Sequence, residues 1–335
     1  MSSIIKPEGY KSRLSVYDTQ KAIGLTKRIF EDNLRRALNL SRVSAPLFVD
    51  PATGLNDDLN GVERAVTFDI KETGTTGAVV HSLAKWKRMA LYKYGFSVGE
   101  GLYADMNAIR RDEELDNLHS IYVDQWDWEA IIAKQSRNEE YLKETVIKIV
   151  DAICTAKERL NDFFPALMTE LSRDVSFVTS EELLSMYPDK TPKEREALYV
   201  REHKTAFIMH IGDTLADGRP HDGRAPDYDD WHLNGDILFW NETLGCAFEV
   251  SSMGIRVDAE SLSYQLEKSG QNARRELMFH KMLLDGTLPL TMGGGIGQSR
   301  LCMLILEKAH IGEVQVSIWD DKTISECKSA NIGLL

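Results

Sequence analysis

Apolar residues recur at helical spacing through Ala22, Ile23, Ile29, Phe30, Leu34, Ala37 and Leu38, which predicts an opening helix capped by Thr19 and ending near Asn39. The run from Val43 to Val49 is extended, and Pro46 inside it suits an edge or interface strand. Ala65 to Ile70 and Ala78 to Val80 read as a hairpin around Gly74 and Gly77, and Leu83 to Tyr94 as a short helix stopped at Gly95. A charged loop, Arg110 to Glu114, leads into a strand from Ile121 to Glu129. The middle of the chain turns helical. Glu139 to Leu171 carries Leu142, Val146, Ile149, Val150, Ile153 and Leu160 on one stripe, and Thr191-Pro192-Lys193-Glu194 combines a capping box with proline at the first helical position. Strand patterns return at Asp236 to Trp240 and Gly245 to Val257, ahead of a long helix from Glu260 to Leu284. The alternation predicts an α+β fold, an antiparallel β-sheet flanked by helices, in a single domain over 1–335 with a helical insertion at about 135–200.

Strand alternation sorts the polar residues. Gln125, Asp127 and Glu129 share one face of their strand, with Tyr122, Trp126 and Trp128 on the other. Ala247, Glu249 and Ser251 form a small polar face opposite Cys246, Phe248 and Val250, and Asp236 lies on the preceding strand. Two carboxylates on neighbouring antiparallel strands repel each other unless a cation bridges them. Magnesium takes one or two carboxylates together with substrate phosphates, so Asp236 and Glu249 are a candidate metal site, against the alternative of a solvated strand face.

Near the end of the chain, Gly293-Gly294-Gly295-Ile296-Gly297-Gln298-Ser299-Arg300 runs into the apolar stretch Leu301 to Leu306. A glycine cluster opening a helix lets backbone N–H groups approach a phosphate, the alternative being a tight strand-to-helix turn packed against another backbone. Arg300 would fall in the first helical turn, where the macrodipole disfavours a cation, which implies an anion beside it. The spacing is G-x-G-x-G-x-x-R, which matches neither a dinucleotide fingerprint nor a Walker sequence.

Composition narrows the function classes. The 335 residues are 43% hydrophobic and 27% charged, as in a folded enzyme, and a net charge of −12 argues against a nucleic-acid partner. The N-terminus has no apolar signal core and no 18-residue apolar run follows, so a cytoplasmic protein with no membrane partner is expected. Cys154, Cys246, Cys302 and Cys327 are widely spaced and read as free thiols. His81 beside Ser82 is not a hydrolase pair, because adjacent residues cannot face each other as nucleophile and base. Lys85 to Arg88 is too short a basic run to bind nucleic acid.

Three segments resemble the class II aminoacyl-tRNA synthetase signatures. Pro46 after a long helix is similar to motif 1, the dimer element; Arg110 or Arg111 with Asp112 and Glu113, before the strand ending at Glu129, to motif 2; and Gly293 to Arg300 to motif 3. Glu249 to Asp258 is similar to the aspartyl and asparaginyl segment E-x-G-G-G-S-x-R-I, with glycines partly replaced. A more extensive resemblance is to the ammonia-dependent asparagine synthetases, the aspartate–ammonia ligase family. It is carried by His81 to Arg88, Gly99 to Tyr103, Tyr122 to Glu129, Arg224 to Trp231, Phe248 to Arg256 and Gly293 to Leu301, almost the whole chain.

That resemblance implies a class II catalytic core that joins aspartate, ATP and ammonia into asparagine, AMP and pyrophosphate through a β-aspartyl-adenylate, in a homodimer. It implies that Arg110, or Arg111, neutralises charge at the α-phosphate, that Arg300 acts near the adenine and γ-phosphate, and that Asp236 and Glu249 hold Mg²⁺. Ser251, Arg256, Gly295 and the backbone from Leu118 to Ile121 would hold AMP. Ser82, Lys87, Gln125 and Asp127 would read the aspartate. A carboxylate must gather ammonium and accept its proton; Asp57 is the first candidate and Asp229 the second, with Asp58 as readily a turn aspartate. Glutamine-dependent synthesis would need a cysteine after Met1, where Ser2 stands. A ligase charging tRNA or protein, and a non-catalytic paralogue, are the alternatives. The former would need a basic surface and the latter would have lost Arg110, Asp236, Glu249 and Arg300.

Overall fold

A computed structural model of the chain describes residues 4–57, 59 and 63–335. Met1 to Ser3, Asp58 and Asn60 to Val62, on which parts of the N-terminal and Asp57 turn readings fall, lie outside the described residues.

Among the described residues, eight strands make one sheet and three make another. In chain order the strands are β1 (Leu40–Arg42), β2 (Phe48–Val49), β3 (Thr67–Ile70), β4 (Thr75–Val79), β5 (Gly101–Ile109), β6 (Tyr122–Ile131), β7 (Ser176–Thr179), β8 (Thr205–Met209), β9 (Asp229–Asn241), β10 (Cys246–Arg256) and β11 (Thr291–Gly297). The large sheet runs β1-β5-β6-β11-β10-β9-β8-β7, antiparallel except at its two ends, and β2-β4-β3 form the small sheet. Helices α1 (Val16–Ala37), α2 (Ala84–Tyr94), α3 (Glu139–Phe163), α4 (Ser180–Met186), α5 (Pro192–His203), α6 (Ala259–Lys268), α7 (Met278–Leu284), α8 (Gln298–Ile305) and α9 (Asp321–Ser329) complete the fold.

The faces of the sheet divide the labour. Trp126, Trp128, Ile237, Phe239, Phe248, Met253 and Ile296 point to one side, where they share a core with Ile29, Phe30 and Leu34 of α1, Val146, Ile149 and Val150 of α3, and the apolar residues of α8. The other side is polar over the middle of the sheet, where it carries the cavity described below, and apolar towards β5 and β8, where smaller clusters pack. The predicted α+β class and antiparallel sheet are therefore present, and Thr191 caps α5 with the expected box and Pro192 at its start.

Several boundaries differ from the pattern reading, each for a local reason. Ser15 caps α1 by accepting from the Asp18 N–H, while Thr19 sits inside the first turn and donates its hydroxyl to the Ser15 carbonyl at 2.8 Å. The stretch around Pro46 is not one strand: β1 ends at Arg42 and β2 begins at Phe48, in different sheets. Strand β5 escaped notice because Gly101 to Ala104 are buried on both faces, which erases the alternation that marks a half-buried strand. The helix expected from Glu260 to Leu284 is interrupted. Gly270 takes a left-handed φ of 69°, so α6 stops there and a 3₁₀ turn, Asn272–Glu276, precedes α7.

The largest difference concerns the glycine run. It is not a helix start with free N–H groups but β11, a central strand whose ladder partners are β6 and β10, so its polar backbone is spent within the sheet. Only after Gly297 does α8 begin.

Candidate functional site

A cavity of about 620 Å³ lies on the polar face of β6, β11, β10 and β9, a size suited to a small-molecule site. Its floor is set by side chains that are missing. Gly295 stands opposite Asp127 and Ser252, and a Cβ there would meet Gln125 Oε1 at 2.6 Å. Gly293 stands opposite Glu129, where a Cβ would come within 2.7 Å of both Glu129 Oε2 and Arg256 Nη2. The glycines serve close approach of neighbouring polar groups rather than donation of free N–H groups.

One end of the cavity is a sealed network of opposite charges. Lys87, on α2 and fully buried, donates to Asp127 and to the Gly294 carbonyl, the latter at 3.0 Å. Asp127 Oδ2 has no hydrogen-bond partner among the described residues. Arg256 donates to Glu129 at 3.1 and 3.2 Å and to Asp229. Thr291 donates to the second Glu129 oxygen at 2.8 Å. Burial lowers the proton affinity of the Lys87 ammonium and raises that of the Asp229 carboxyl, in each case against the pull of the partner. Ser82, Gln125, Asp57 and Tyr228 line the same end. Asp57 is 2% exposed; its Oδ1 accepts from the Leu59 N–H at 2.9 Å and its carbonyl meets His81 Nδ1 at 2.9 Å, so it has both a turn role and a place on the cavity wall.

The other end is looser. Arg300, in the first turn of α8, donates to the Glu249 carbonyl at 3.2 Å and stands 3.7 Å from its carboxylate, so the anion that its position implied includes a protein side chain. Arg110 and Arg111 both line the cavity. Arg110 is the more enclosed: its nearest carboxylate, Glu113, is 3.9 Å away and its buried Nε has no partner among the described residues. Asp236 accepts from Arg224, which lines the wall. Burial, with Glu249 adding to it, lifts the Asp236 carboxyl to about 6 despite Arg224. For Glu249 burial acts the same way but Arg300, Arg224 and Lys193 outweigh it and hold the carboxyl low.

Two carboxylates that feel each other in this way suit a divalent cation whose remaining ligands come from a substrate. Among the described residues no group of three or more His, Cys, Asp or Glu gathers into a metal cage, so such a cation would depend on phosphates and water for the rest of its shell.

Three predicted residues do not line the cavity: Asp236, which sits behind Arg224, and Ser251 and Ile121. A β-bulge places Glu249 opposite Leu238 but Ser251 opposite Ile237, so Val250 is an extra residue and the faces exchange beyond it. Ser251 is therefore turned to the core, 1% exposed and with an unpartnered hydroxyl among the described residues, while Ser252 lines the cavity opposite Asp236. Ile121 gives its carbonyl to the Arg110 N–H at 2.9 Å and is absent from the wall, which Leu118 and Tyr122 line instead.

The basic run on α2 is not a surface at all. Lys85 donates to Asp227 at 3.1 Å, Lys87 to Asp127, and Arg88 to the Pro289 and Val257 carbonyls. Asp227 also meets Arg274 at 2.7 Å and His280 at 2.9 Å, behind the wall. The acidic cluster thus diverges: Asp227 to that buried group, Asp229 to Arg256, and Asp230 to Arg137.

Sequence reasoning placed Glu129 on the right strand face without assigning it a role, and overlooked Arg224, Tyr228, Ser252 and Lys193 as wall residues. Glu129 was recoverable from its alternation with Asp127. The others follow from the bulge and from tertiary approach, for which linear spacing gives no signal. Cys154, Cys302 and Cys327 are buried and all four cysteines are free, as expected. Among the described residues no helix is long and apolar enough to cross a membrane.

The fold is similar to that of the asparaginyl-tRNA synthetase from Pyrococcus horikoshii complexed with asparaginyl-adenylate, at a TM-score of 0.64 and 14% identity over 89% of this chain and 68% of that one. An asparaginyl-tRNA synthetase from Entamoeba histolytica gives 0.63 and 13%, over 89% and 66%. At such identities the likeness concerns the fold, that of the class II synthetase cores. Sequence relatives are far nearer: the aspartate–ammonia ligase of Ruminiclostridium cellulolyticum is 61% identical over 100% of both chains, and that of Clostridium tetani 59% over 99% of this chain and 98% of the relative. The family model described as aspartate-ammonia ligase matches residues 17–331. With that match and those identities, the chain belongs to the aspartate–ammonia ligase family.

Proposed function

We propose that this cavity makes asparagine by activating aspartate with ATP and then giving the activated acyl group to ammonia. The enzyme is a carbon–nitrogen ligase of the aspartate–ammonia type. The observation that carries the mechanism is the union, over one glycine floor, of a sealed Lys87–Asp127 end with a looser end holding Arg110, Arg300, Glu249 and Arg224.

Aspartate is a zwitterion with an extra carboxylate, so its recognition calls for fixed charges of both signs. Asp127, with a free oxygen, suits its ammonio group, and Lys87, Ser82 and Gln125 suit its α-carboxylate. The side-chain carboxylate then attacks the α-phosphorus of ATP; the bond to the bridging oxygen breaks and pyrophosphate leaves with the electron pair. Arg110 and Arg300 offset the charge at that centre, with Leu118 and Gly295 lining the nucleotide's place, while Arg256, a candidate for AMP, is held by Glu129 and Asp229 at the sealed end. Asp236 and Glu249 would hold Mg²⁺, which when bound supplies charge neutralisation to the phosphates. Asp57 takes a proton from ammonium, with Asp229 second because it is already committed to Arg256. Ammonia attacks the acyl carbon of the β-aspartyl-adenylate and AMP departs.

Residues 1–335 act as one catalytic domain in this reading, the helices at about 135–200 being an insertion in it. A homodimer through the Pro46 segment is supported by Leu47 and Phe48, which stand 54% and 43% exposed beside it, and gel filtration tests it. The net charge of −12 supports small-molecule substrates and no nucleic-acid partner. The deciding assay measures AMP and asparagine formed from ATP and aspartate, with and without ammonium. Ammonium-dependent formation of both is expected; AMP release coupled to tRNA charging, without ammonium, would overturn the reading. Asp57→Asn should suppress the ammonium-dependent step while adenylate formation persists.

A further inference from the structure

The cations around the looser end of the cavity are unequally committed. Arg224 is bound to Asp236 and Arg300 leans on Glu249. Lys193 reaches the same wall from the first turn of α5, one of the helices that separate β6 from β8. Its ammonium donates to the Glu196 carboxylate at 3.1 and 3.2 Å and stands 3.6 Å from Asp222, with 68% of its side chain exposed.

Glu196 does not depend on that contact. It is buried, and its Oε1 also lies 3.0 Å from Nε2 of His221, whose side chain is wholly buried. When Lys193 leaves, Glu196 keeps a partner, so no buried carboxylate is stranded. Only the lysine end of the pair is exposed, and the His221 contact limits the cost of breaking it. Lys193 is thus, beside the loosely held Arg110 and Arg300, a further cation on this wall that can change partner. Burial alone would lower its proton affinity, but Glu196, Glu249, Asp222 and Asp236 outweigh that and hold the ammonium above the ordinary lysine range, so it meets any ligand charged.

Adenylation creates a demand for such a group. Cleavage at the α-phosphorus adds a negative charge to the departing pyrophosphate, and a pair of carboxylates on the wall would repel it unless cations answer. We infer that Lys193 is a pyrophosphate-binding residue, which exchanges Glu196 for the β- and γ-phosphates when ATP enters and stays with pyrophosphate until it leaves. The inference rests on the reading that this cavity adenylates aspartate with ATP.

Two substitutions at an exposed side chain test it: Lys193→Met, which keeps the stem, and Lys193→Arg, which restores the charge. Each is compared with the parent for AMP formation and, by calorimetry, for binding of inorganic pyrophosphate with magnesium. In Lys193→Met both the KM for ATP and the Kd for pyrophosphate should rise about tenfold or more, as for a lost charge-assisted hydrogen bond, while the KM values for aspartate and ammonium hold. Lys193→Arg should recover most of both. An unchanged pyrophosphate Kd in Lys193→Met, or a loss that arginine does not repair, overturns the inference. A parent that forms no AMP overturns the ligase reading instead, and the calorimetry then still decides Lys193.

Discussion

The two ends of the cavity are built on opposite terms. At the end proposed for aspartate, Lys87, Asp127, Glu129, Arg256 and Asp229 are buried and locked in short contacts. At the end proposed for the phosphates, Arg300 to Glu249 is 3.7 Å and Arg110 to Glu113 is 3.9 Å, on side chains that are 21–35% exposed. The proposed ligands would account for the contrast. A small zwitterion brings little binding surface, so discrimination must come from charges fixed in advance. A nucleotide with a metal brings several charges of its own, and protein groups that can rearrange serve it better than fixed ones. Buried pairs at the first end should therefore be coupled to stability and loose pairs at the second to activity.

Breaking the sealed end should have the largest effect. Arg256→Met leaves Glu129 and Asp229 buried with their main cation gone, and unfolding in urea should show a loss of about 3–5 kcal/mol. A loss below about 1 kcal/mol would mean that the network is not coupled to stability, and the contrast would fail.

Asp227, behind the same end, gives the contrast a pH signature. Burial opposes its ionisation, but Lys85, His280 and Arg274 prevail and hold its carboxyl well below the ordinary value of 3.8. A depressed carboxyl stabilises the fold above its unfolded value and loses that contribution as pH falls below it. Asp227→Asn should therefore cost about 3 kcal/mol near neutrality, and the gap to the parent should narrow only below about pH 4. Urea midpoints measured across that range would expose the opposite slope if the pairing were wrong.

Arg300→Ala sharpens the other side. Adenylate formation should fall about 10²–10³-fold, as for loss of a transition-state donor, while unfolding free energy moves by less than about 1 kcal/mol. Equal damage to both would erase the distinction between the ends. The smallest effect separates two neighbours: Ser252→Ala should raise the KM for ATP by about twofold to fivefold, within a single neutral hydrogen bond, and Ser251→Ala should leave it unchanged.

Much of this was legible in the chain. The Thr191-Pro192 helix start and the Gln125-Asp127-Glu129 face depend on local chemistry and formed where the pattern put them, and the hairpin around Gly74 formed too, with its second strand starting at Thr75 and Gly77 inside it rather than in the turn. The candidate residues largely converge too: Asp57, Ser82, Lys87, Arg110, Gln125, Asp127, Glu249 and Arg300 come from distant segments to one cavity. What sequence concealed were events of register and tertiary approach. Gly293 to Gly297 read as the start of a helix with N–H groups free for phosphate, yet they pair within the sheet and their lack of side chains admits Gln125 and Arg256. Ser251 was misplaced because alternation presumes an unbroken ladder. Lys193 went unseen because nothing in a surface helix tells which neighbour it will reach.

The extra residue at Val250 also bears on how this hairpin can vary. A substitution in β10 alters one side chain, but gaining or losing a single residue between Glu249 and Arg256 would trade Ser252 and Gly254 for Ser251 and Met253 all at once. The strand is tolerant of spelling and intolerant of spacing. Length differences among related chains should therefore collect in the turn at 242–245, where residues can be added without moving the ladder.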